Sequence, residues 1–357
     1  MKAWKLSKPG GELKLIDAPI PQVRAGTVLV KMHAAPMLTY FDRWAAGQLP
    51  YAYPLREFTP GTNGVGVIDA IGSGIYHFKP GDRVFVDPYM VAAENVAEPA
   101  QILTGLTGIS VDSGEMLKDW ANGTYSEHVL TLPTVLTRLD RLDRLPSERL
   151  AYLSKFAIPF GGLLRGDLRP AQTLIVNGAT GYFGSGAVLA GVALGARRVV
   201  ALGRNTSILD RLAALGHGRI ACVALSGETN RDSEAIRDAA GGSADIALDM
   251  VGGAGDANAT LAALSALHRG GRLVLMGSMT VPLPLPYAQV LANNWEIVGN
   301  FMYSKEAIRR LSALVESGAL DLEAVALRTF PLADLKEASR AAAGISGLEA
   351  VCLIMER

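Results

Sequence analysis

Residues 174–184 (LIVNGATGYFG) have the types and spacing that bind a dinucleotide. A short apolar strand, predicted over residues 174–177, runs into a small-residue turn, and a long apolar helix is predicted over residues 181–194. In the G-x-G-x-x-G fingerprint, small residues let the backbone approach a pyrophosphate and let the helix pack closely on the strand. The helix N-terminus then offers unpaired N–H groups and the positive end of its dipole to the phosphates.

In this chain an alanine occupies the first glycine position of the fingerprint. Such a degenerate match is weak alone, but here several further strand–helix units follow it, which favours a cofactor site over a plain turn. Six consecutive residues are predicted to contact the cofactor: Ala179, Thr180, Gly181, Tyr182, Phe183 and Gly184. We add Val251, Met276 and Gly277, which lie at the ends of later predicted strands.

The end of the second predicted strand, residues 198–202, indicates which dinucleotide binds. NAD-binding proteins usually place Asp or Glu about 20 residues after the fingerprint, where it accepts hydrogen bonds from the ribose. This chain instead reads Gly203, Arg204 and Asn205, and no acid follows until Asp210. An arginine can bind a 2′-phosphate in fork geometry. We therefore predict NADPH, with a solvated loop arginine as the alternative.

Strands and helices must position these residues, and their pattern changes near residue 174. Before it, short β-branched segments (residues 27–32, 64–71 and 83–86) separated by Pro-Gly turns predict a β-rich, barrel-like domain. After it, apolar strands alternate with helices, which predicts a parallel sheet buried on both faces. Helices over residues 305–317 and 332–343 and a strand over 350–355 complete the chain. The predicted class is α/β.

Composition limits the classes of function. At 357 residues, with 49% apolar and 19% charged residues, the chain is expected to form two globular domains. Lys+Arg and Asp+Glu number 34 each, so no net field attracts nucleic acid or an anionic membrane. Two cysteines in apolar stretches fit a reducing compartment. With no signal peptide and no apolar run of membrane-spanning length, we expect a cytoplasmic protein.

Several segments together resemble the medium-chain dehydrogenase/reductase superfamily, nearest to its quinone oxidoreductase-like members. They are residues 34–47 (AAPMLTYFDRWAAG), 60–66 (PGTNGVG), 78–84 (FKPGDRV), 123–129 (GTYSEHV), the fingerprint, 270–274 (GGRLV) and 295–299 (WEIVG). The resemblance implies a GroES-like catalytic domain formed by residues 1–155 and 301–357, with a Rossmann NADPH-binding domain inserted at 156–300. It also implies a homodimer paired near residues 281–286 (VPLPLP), whose prolines suit a sheet edge.

The departures from this family concern its zinc sites. Zinc-containing members have a cysteine where this chain has Leu38, and Gly-His-Glu where it has Gly61-Thr62-Asn63. Their third ligand falls near Ser154 or Lys155. The four-cysteine structural zinc lobe corresponds to residues 88–122, which contain no cysteine. These residue types do not supply the three ligands of catalytic zinc, so we expect no metal.

Without zinc, another group must polarise the substrate carbonyl or deliver a proton. The resemblance makes Tyr40 the first candidate, because it matches the hydroxyl residue of the proton relay in zinc members. Tyr51 and Tyr53 lie where related enoyl-thioester reductases have their tyrosine acid. Asn63, with Thr62, either orients a substrate oxygen or satisfies the local backbone. The alternative for each tyrosine is a half-buried aromatic residue with a hydrated hydroxyl.

The expected function is NADPH-dependent hydride transfer to a quinone or α,β-unsaturated carbonyl compound. An enoyl-thioester reductase is the first alternative and would need basic residues for a carrier phosphate. The second is a weakly catalytic, crystallin-like relative that binds NADPH or RNA. The zero net charge and the lack of a basic stripe interleaved with aromatic residues disfavour nucleic-acid binding.

Overall fold

The computed structural model describes residues 1–355, which form two compact units. The first unit contains Met1–Ser154, Ala326–Ile345 and the C-terminal residues from Ala350. The second contains Lys155–Val325 and Ser346–Glu349. The N-terminal boundary lies one residue from the predicted position. The C-terminal boundary differs, because residues 301–325 belong to the second unit.

The first unit is mostly antiparallel sheet. Its strands are β1 (Lys2–Leu6), β2 (Leu13–Asp17), β3 (Val28–Pro36), β4 (Gly64–Ile71), β5 (Arg83–Val86), β6 (Tyr89–Val91), β7 (Gln101–Leu103), β8 (Thr107–Gly108), β9 (His128–Thr131) and β10 (Leu136–Arg138). Its helices in this part are α1 (Phe41–Ala45), α2 (Gly114–Asp119) and α3 (Ser147–Ala151). The main sheet has the order β10-β5-β4-β3, and β9 also pairs with β3.

The second unit is a six-stranded parallel sheet with helices between its strands. Its strands are β11 (Thr173–Asn177), β12 (Arg198–Gly203), β13 (Ile220–Ala224), β14 (Ala244–Asp249), β15 (Leu267–Leu275) and β16 (Glu296–Gly299). Its helices are α4 (Leu153–Arg165), α5 (Tyr182–Ala193), α6 (Thr206–Leu215), α7 (Thr229–Ala240), α8 (Asn258–Ser265), α9 (Tyr287–Asn293) and α10 (Ala307–Glu316). The chain returns to the first unit through β17 (Ala326–Pro331), α11 (Leu335–Ala343) and β18 (Glu349–Ile354), and β18 joins the main sheet beside β3.

The strand order β13-β12-β11-β14-β15-β16 confirms the predicted doubly wound sheet. Counted from the fingerprint strand, it is the 3-2-1-4-5-6 order of dinucleotide-binding folds. Strand β11 is buried at every position, as expected of a central parallel strand covered on both faces. The order reverses between β11 and β14, so the ligand crevice of such a sheet is expected at their carboxyl ends.

Packing explains why residues 301–325 belong with the parallel sheet. An added Cβ at Gly161 of α4 would lie 2.3 Å from the carbonyl oxygen of Met302, so the two segments touch directly. The Arg310 guanidinium on α10 lies over the Phe160 ring of α4. Both contacts join segments far apart in sequence, and strand and helix spacing alone does not reveal them.

Residues 281–286 differ from their predicted edge position. They form irregular chain that leads into α9, and the sheet edge is β16 instead. Three prolines in six residues remove backbone donors that a strand would use. Within residues 1–355, no helix combines the length and apolar character needed to cross a lipid bilayer.

Candidate functional site

A crevice of about 480 Å³ lies at the carboxyl ends of β11–β14, within the usual volume range of ligand pockets. It is lined by Asn177, Gly178, Thr180, Gly181, Gly203, Arg204, Leu225, Ser226, Gly227, Met250, Val251, Gly252, Gly253, Ala254, Gly255, Asp256, Asn258, Ala259 and Thr260. It is therefore at the predicted switch point of the sheet.

The turn between β11 and α5 owes its shape to glycines. Gly178 has φ +79°, a left-handed conformation that favours glycine. An added Cβ at Gly184 would lie 2.0 Å from the carbonyl oxygen of Gly178, so α5 approaches the turn closely. Gly181 differs, since its φ is −79° and an added Cβ would meet only the Gly178 oxygen, at 3.2 Å. Its open side faces the crevice, where a cofactor needs room.

The predicted cofactor residues divide into two groups. Thr180, Gly181, Gly203, Arg204 and Val251 line the crevice. The other seven do not line it: Ala179, Tyr182, Phe183, Gly184, Asn205, Met276 and Gly277. They support it instead, because they form the buried turn, the first turn of α5, the N-cap of α6 and the end of β15.

The loop after β12 contains no acid that could accept from a ribose. The Arg204 side chain is exposed at the crevice, whereas the Asn205 carboxamide accepts from the Ile208 N–H at 3.2 Å. Asn205 thus caps α6, a common use of asparagine. At Gly203, an added Cβ would lie 2.4 Å from the Thr180 methyl group. Gly203 therefore brings the ends of β11 and β12 together.

Sequence reasoning missed the loop after β13. The Asp232 carboxylate on α7 is buried and accepts from the backbone N–H groups of Ser226 and Gly227 at 2.8 and 3.0 Å. It also accepts from the Ser226 hydroxyl at 2.7 Å. These bonds hold a crevice wall in place. A Ser-Gly pair at the end of a predicted strand was the only available signal.

A second missed group is a polar cluster between β11 and β14. Asp249, which is 3% exposed, accepts from the Thr260 hydroxyl at 2.5 Å, the Val251 N–H at 2.9 Å and Asn177 Nδ2 at 3.4 Å. Burial raises the pKa of the Asp249 carboxyl, and these hydrogen bonds oppose that rise. Asn177 Oδ1 is buried and has no partner among the described residues. It is an available acceptor at the crevice.

The candidate substrate residues of the first unit lie at one end of its main sheet. The antiparallel register pairs Ala34 of β3 with Val65 of β4. Leu38, shortly after β3, and Asn63, just before β4, are therefore brought to the same region. The Tyr125 hydroxyl donates to the Pro36 carbonyl and its backbone N–H donates to Pro60, each at 3.0 Å.

Two polar side chains in this region have no hydrogen-bond partner. Thr62 and Asn63 are 5% and 7% exposed, and the Thr62 hydroxyl and Asn63 Nδ2 are unsatisfied among the described residues. Leaving a buried donor unpaired costs about 1–3 kcal/mol. The two groups are thus candidates to bind an oxygen atom of a ligand.

The residues at the zinc-ligand positions do not fit catalytic zinc. Leu38 has no donor atom, and the hydroxyl of Thr62 and carboxamide of Asn63 are neutral, whereas catalytic zinc takes His, Cys or carboxylate ligands. Lys155 is fully buried, and its ammonium binds backbone carbonyls rather than acting as a ligand. Across residues 1–355, no three His, Cys, Asp or Glu side chains are grouped to hold a metal.

The segment that corresponds to the structural zinc lobe is stabilised differently. Strands β6–β8 form a small antiparallel sheet with α2 beside it. Met90, Ile102, Leu117 and Val135 are buried together there. An apolar core stands where the relatives' family has a metal-binding lobe, and no side chain in this core is a zinc ligand.

The candidate tyrosines have different surroundings. The Tyr40 and Tyr51 rings stack with centroids 6.3 Å apart. Burial, and then the neighbouring Tyr51 phenol, raise the pKa of Tyr40 well above its usual range. The Tyr53 hydroxyl instead donates to the Trp44 carbonyl at 2.6 Å. Tyr53, predicted as catalytic, therefore has its donor engaged by the protein backbone.

Two family models match the chain. A model described as "Alcohol dehydrogenase GroES-like domain" matches residues 24–141, and one described as "Zinc-binding dehydrogenase" matches residues 183–317. Together they span most of the chain and both structural units. The chain belongs to the medium-chain dehydrogenase/reductase superfamily. As a member, it is an oxidoreductase that uses a nicotinamide cofactor.

Curated relatives of this superfamily member include alcohol, L-threonine 3- and sorbitol dehydrogenases by name. An alcohol dehydrogenase of Moraxella sp. (strain TAE123) is 28% identical over 306 residues, which cover 85% of each chain. A sorbitol dehydrogenase of Bacillus subtilis (strain 168) is 24% identical over 335 residues, covering 92% of this chain and 89% of the relative. These relatives give no support to a quinone oxidoreductase-like assignment within the superfamily.

Solved structures agree on the fold. The 2R,3R-butanediol dehydrogenase from Bacillus subtilis superimposes with a TM-score of 0.82 at 19% identity, covering 99% of each chain. An alcohol dehydrogenase from E. coli CFT073, complexed with NADH, superimposes with a TM-score of 0.80 at 18% identity, again over 99% of each chain. At these identities the likeness concerns the fold alone.

Proposed function

We propose that this protein transfers hydride from NADPH to a quinone or an α,β-unsaturated carbonyl compound without zinc. The observation on which the proposal rests is the replacement of zinc ligands by Leu38, Thr62 and Asn63, with unpaired polar atoms on the last two. In the proposed site, the Thr62 hydroxyl and Asn63 Nδ2 donate to the acceptor oxygen. Aligned donors of this kind stabilise the negative charge that develops there.

The direction of the proposed reaction follows from the missing ligands. Oxidation of an alcohol requires loss of its hydroxyl proton, which zinc promotes by binding the oxygen. Neutral donors such as Thr62 and Asn63 do not provide that effect. A conjugated acceptor needs less help, since it takes one hydride and one proton. The bound nicotinamide supplies the hydride, and the Tyr40–Tyr51 pair or water supplies the proton.

The preference for NADPH is a second part of the proposal. Its support is the exposed Arg204 at the crevice and the absence of an acid at the end of β12. An arginine there pairs with a 2′-phosphate, whereas NAD-binding relatives of the fold place a carboxylate that would repel it. The Asn205 side chain is excluded from this role because it caps α6.

The test is turnover with two panels: NADPH with quinones and enones, and NAD⁺ with alcohols and polyols. We expect turnover in the first. In the double variant Thr62→Val, Asn63→Ala, we expect kcat/KM to fall by about 10²-fold or more, the usual cost of lost oxyanion donors. NADPH affinity should stay the same, as measured by fluorescence titration. Turnover of NAD⁺ with alcohols alone would overturn the proposal.

Oxidation of alcohols with NAD⁺ is the competing candidate function. The names of the relatives, alcohol and sorbitol dehydrogenases, favour it. It requires a group that removes the alcohol proton, and Leu38, Thr62 and Asn63 contain no such base. An alcohol dehydrogenase would also lose activity in the presence of chelators, whereas the proposed reductase would not.

We also propose that the protein is a homodimer that pairs through the β16 edge of the second unit. Strand β16 ends the sheet, and the adjacent α9 has no buried residue. Tyr287 and Leu291 of α9 are 80% and 67% exposed. Unpaired edges next to exposed apolar side chains promote association. Light scattering should give a dimer mass for the parent and a monomer mass for Leu291→Lys; a monomeric parent would contradict this.

A further inference from the structure

One fully buried lysine lies beside the first turn of α5. Lys155, on α4, is 0% exposed, and its ammonium donates to the carbonyls of Tyr182 and Gly347. The distance to the Gly347 oxygen is 2.6 Å. The ammonium also lies 3.9 Å from the centre of the Tyr182 ring. Two carbonyls and one aromatic face thus match the three N–H bonds of a protonated lysine.

These contacts connect Lys155 to the cofactor turn. Tyr182 is the first residue of α5 and belongs to the fingerprint. The Ser185 hydroxyl lies 2.6 Å from the same Gly347 oxygen and 3.1 Å from the Tyr182 oxygen. An added Cβ at Gly186 would lie 2.7 Å from the Lys155 carbonyl oxygen, so α4 and α5 are in close contact. A shift of Lys155 would therefore move the start of α5.

The charge of Lys155 is not neutralised by an ion pair. Among the described residues, no carboxylate lies within ion-pair distance of its ammonium. Burial lowers the pKa of Lys155 well below its usual range. The Glu349 carboxylate acts in the opposite direction and partly offsets that shift. A buried and unpaired charge is costly. The N-terminus of α5 is also positive, which adds to the cost until an anion binds.

We propose that Lys155 is a positioning residue of the cofactor site, whose buried ammonium fixes the first turn of α5 and attracts the cofactor phosphates. The inference rests on the proposed use of a nicotinamide dinucleotide, but not on the acceptor. The counter-charge that Lys155 lacks is supplied by the pyrophosphate at the N-terminus of α5. Loss of one buried charge beside the start of α5 is expected to weaken binding by about tenfold or more.

The test compares Lys155→Met with Ser185→Ala. Methionine fills a similar volume without charge, and removing an unpaired buried charge often leaves stability unchanged or raises it. Ser185→Ala removes a contact to the same carbonyls and no charge. For NADPH binding by fluorescence titration, we expect a loss of about tenfold for Lys155→Met and less than about threefold for Ser185→Ala. The thermal midpoint of Lys155→Met should not fall.

Adenosine has no phosphate, so its binding distinguishes the effect of the Lys155 charge from an effect of side-chain packing. Its affinity should be the same in parent and Lys155→Met, whereas equal losses for adenosine and NADPH would show a packing effect and overturn the proposal. If Lys155→Met does not fold, the pH dependence of NADPH binding by the parent protein still tests the role of Lys155. The parent's NADPH affinity should fall as the pH rises through the lowered pKa of Lys155, because the ammonium then loses its proton. The Tyr182 ring also faces the ammonium, so Tyr182→Phe should keep this pH dependence.

The outcomes also separate this inference from the proposed function. If the parent does not bind NADPH or NADH, the proposed cofactor use fails. If the parent binds NADPH and Lys155→Met binds it equally well, only the role of Lys155 fails. A parent affinity that does not fall as the pH rises would have the same meaning.

Discussion

The crevice of the second unit and the zinc-ligand positions of the first unit, which are Leu38, Thr62 and Asn63, differ in what they are made of. Backbone and glycine positions shape the crevice: Gly178 makes a left-handed turn, and Gly184 and Gly203 allow close approach. In the first unit, side chains decide the chemistry, because Leu38, Thr62 and Asn63 stand in place of metal ligands. A backbone site tolerates few sequences, whereas a side-chain site changes its chemistry with a few substitutions.

The difference explains why the two halves of the proposed reaction rest on different grounds. The cofactor half follows from a glycine turn at the switch point of a sheet with the strand order of dinucleotide-binding folds. The substrate half follows from residues in which this chain departs from the superfamily's zinc-binding pattern. The names of the relatives therefore do not determine the acceptor.

The largest expected effect is a loss of cofactor binding at the crevice, whose shape the backbone determines. Gly181→Val should reduce NADPH affinity by more than about 10²-fold, because the side chain occupies space that the pyrophosphate needs. The protein should remain folded, since an added Cβ meets only one atom, at 3.2 Å. Gly184→Val is the matched contrast, because its Cβ would lie 2.0 Å from backbone and should lower the thermal midpoint. Parent-like NADPH titration of Gly181→Val would remove the crevice as the cofactor site.

The backbone site was also the part that sequence could predict best. Strands 198–202 and 220–225 and helix 181–194 were predicted within one residue of the observed bounds. The reason is local, since an apolar strand, a small-residue turn and an apolar helix are adjacent in sequence. Even so, the left-handed residue is Gly178, outside the six predicted positions.

Contacts between distant segments were not predictable in this way. Lys155 binds carbonyls 27 and 192 residues away, and Ser226 is held by a carboxylate on the following helix. The domain boundary near residue 300 was misplaced for the same reason, because α10 packs on α4. Spacing reveals periodicity but not which distant residues a buried charge will meet.

A second prediction tests whether Tyr40 acts in the proposed substrate site of the first unit. If the Tyr40 phenol delivers the proton or hydrogen-bonds the oxyanion, Tyr40→Phe should lower the single-turnover rate of NADPH oxidation by about 10²-fold. Tyr53→Phe is the matched control and should change this rate by less than threefold, because its hydroxyl is bound to the Trp44 carbonyl. Equal rates for the parent and Tyr40→Phe would leave Tyr51 or water as the proton donor.

A third prediction concerns the one side chain on which the cofactor preference depends. The parent should bind NADPH at least tenfold more tightly than NADH, about 1.4 kcal/mol, through charge-assisted contacts to the 2′-phosphate. Arg204→Ala should remove most of that ratio by weakening NADPH binding and leaving NADH binding unchanged. Isothermal titration with both cofactors measures this. A parent without preference would refute the assignment of NADPH.

The smallest expected effect is that of removing metal ions, which should change neither activity nor stability. This prediction tests most directly whether the zinc-ligand positions of the first unit are metal-free. Elemental analysis of the purified protein should find no stoichiometric zinc, and prolonged treatment with a chelator should leave the rate of NADPH oxidation unchanged. The reason is that Leu38 provides no donor and Thr62 and Asn63 only neutral ones, so three ligands for catalytic zinc are not available. Stability should be equally unaffected, because an apolar core around Met90 and Ile102 replaces the metal-binding lobe. One tightly held zinc per chain, lost together with activity, would show that residues outside the family's ligand positions bind the metal. The protein would then be a zinc enzyme whose metal ligands lie at other positions than Leu38, Thr62 and Asn63.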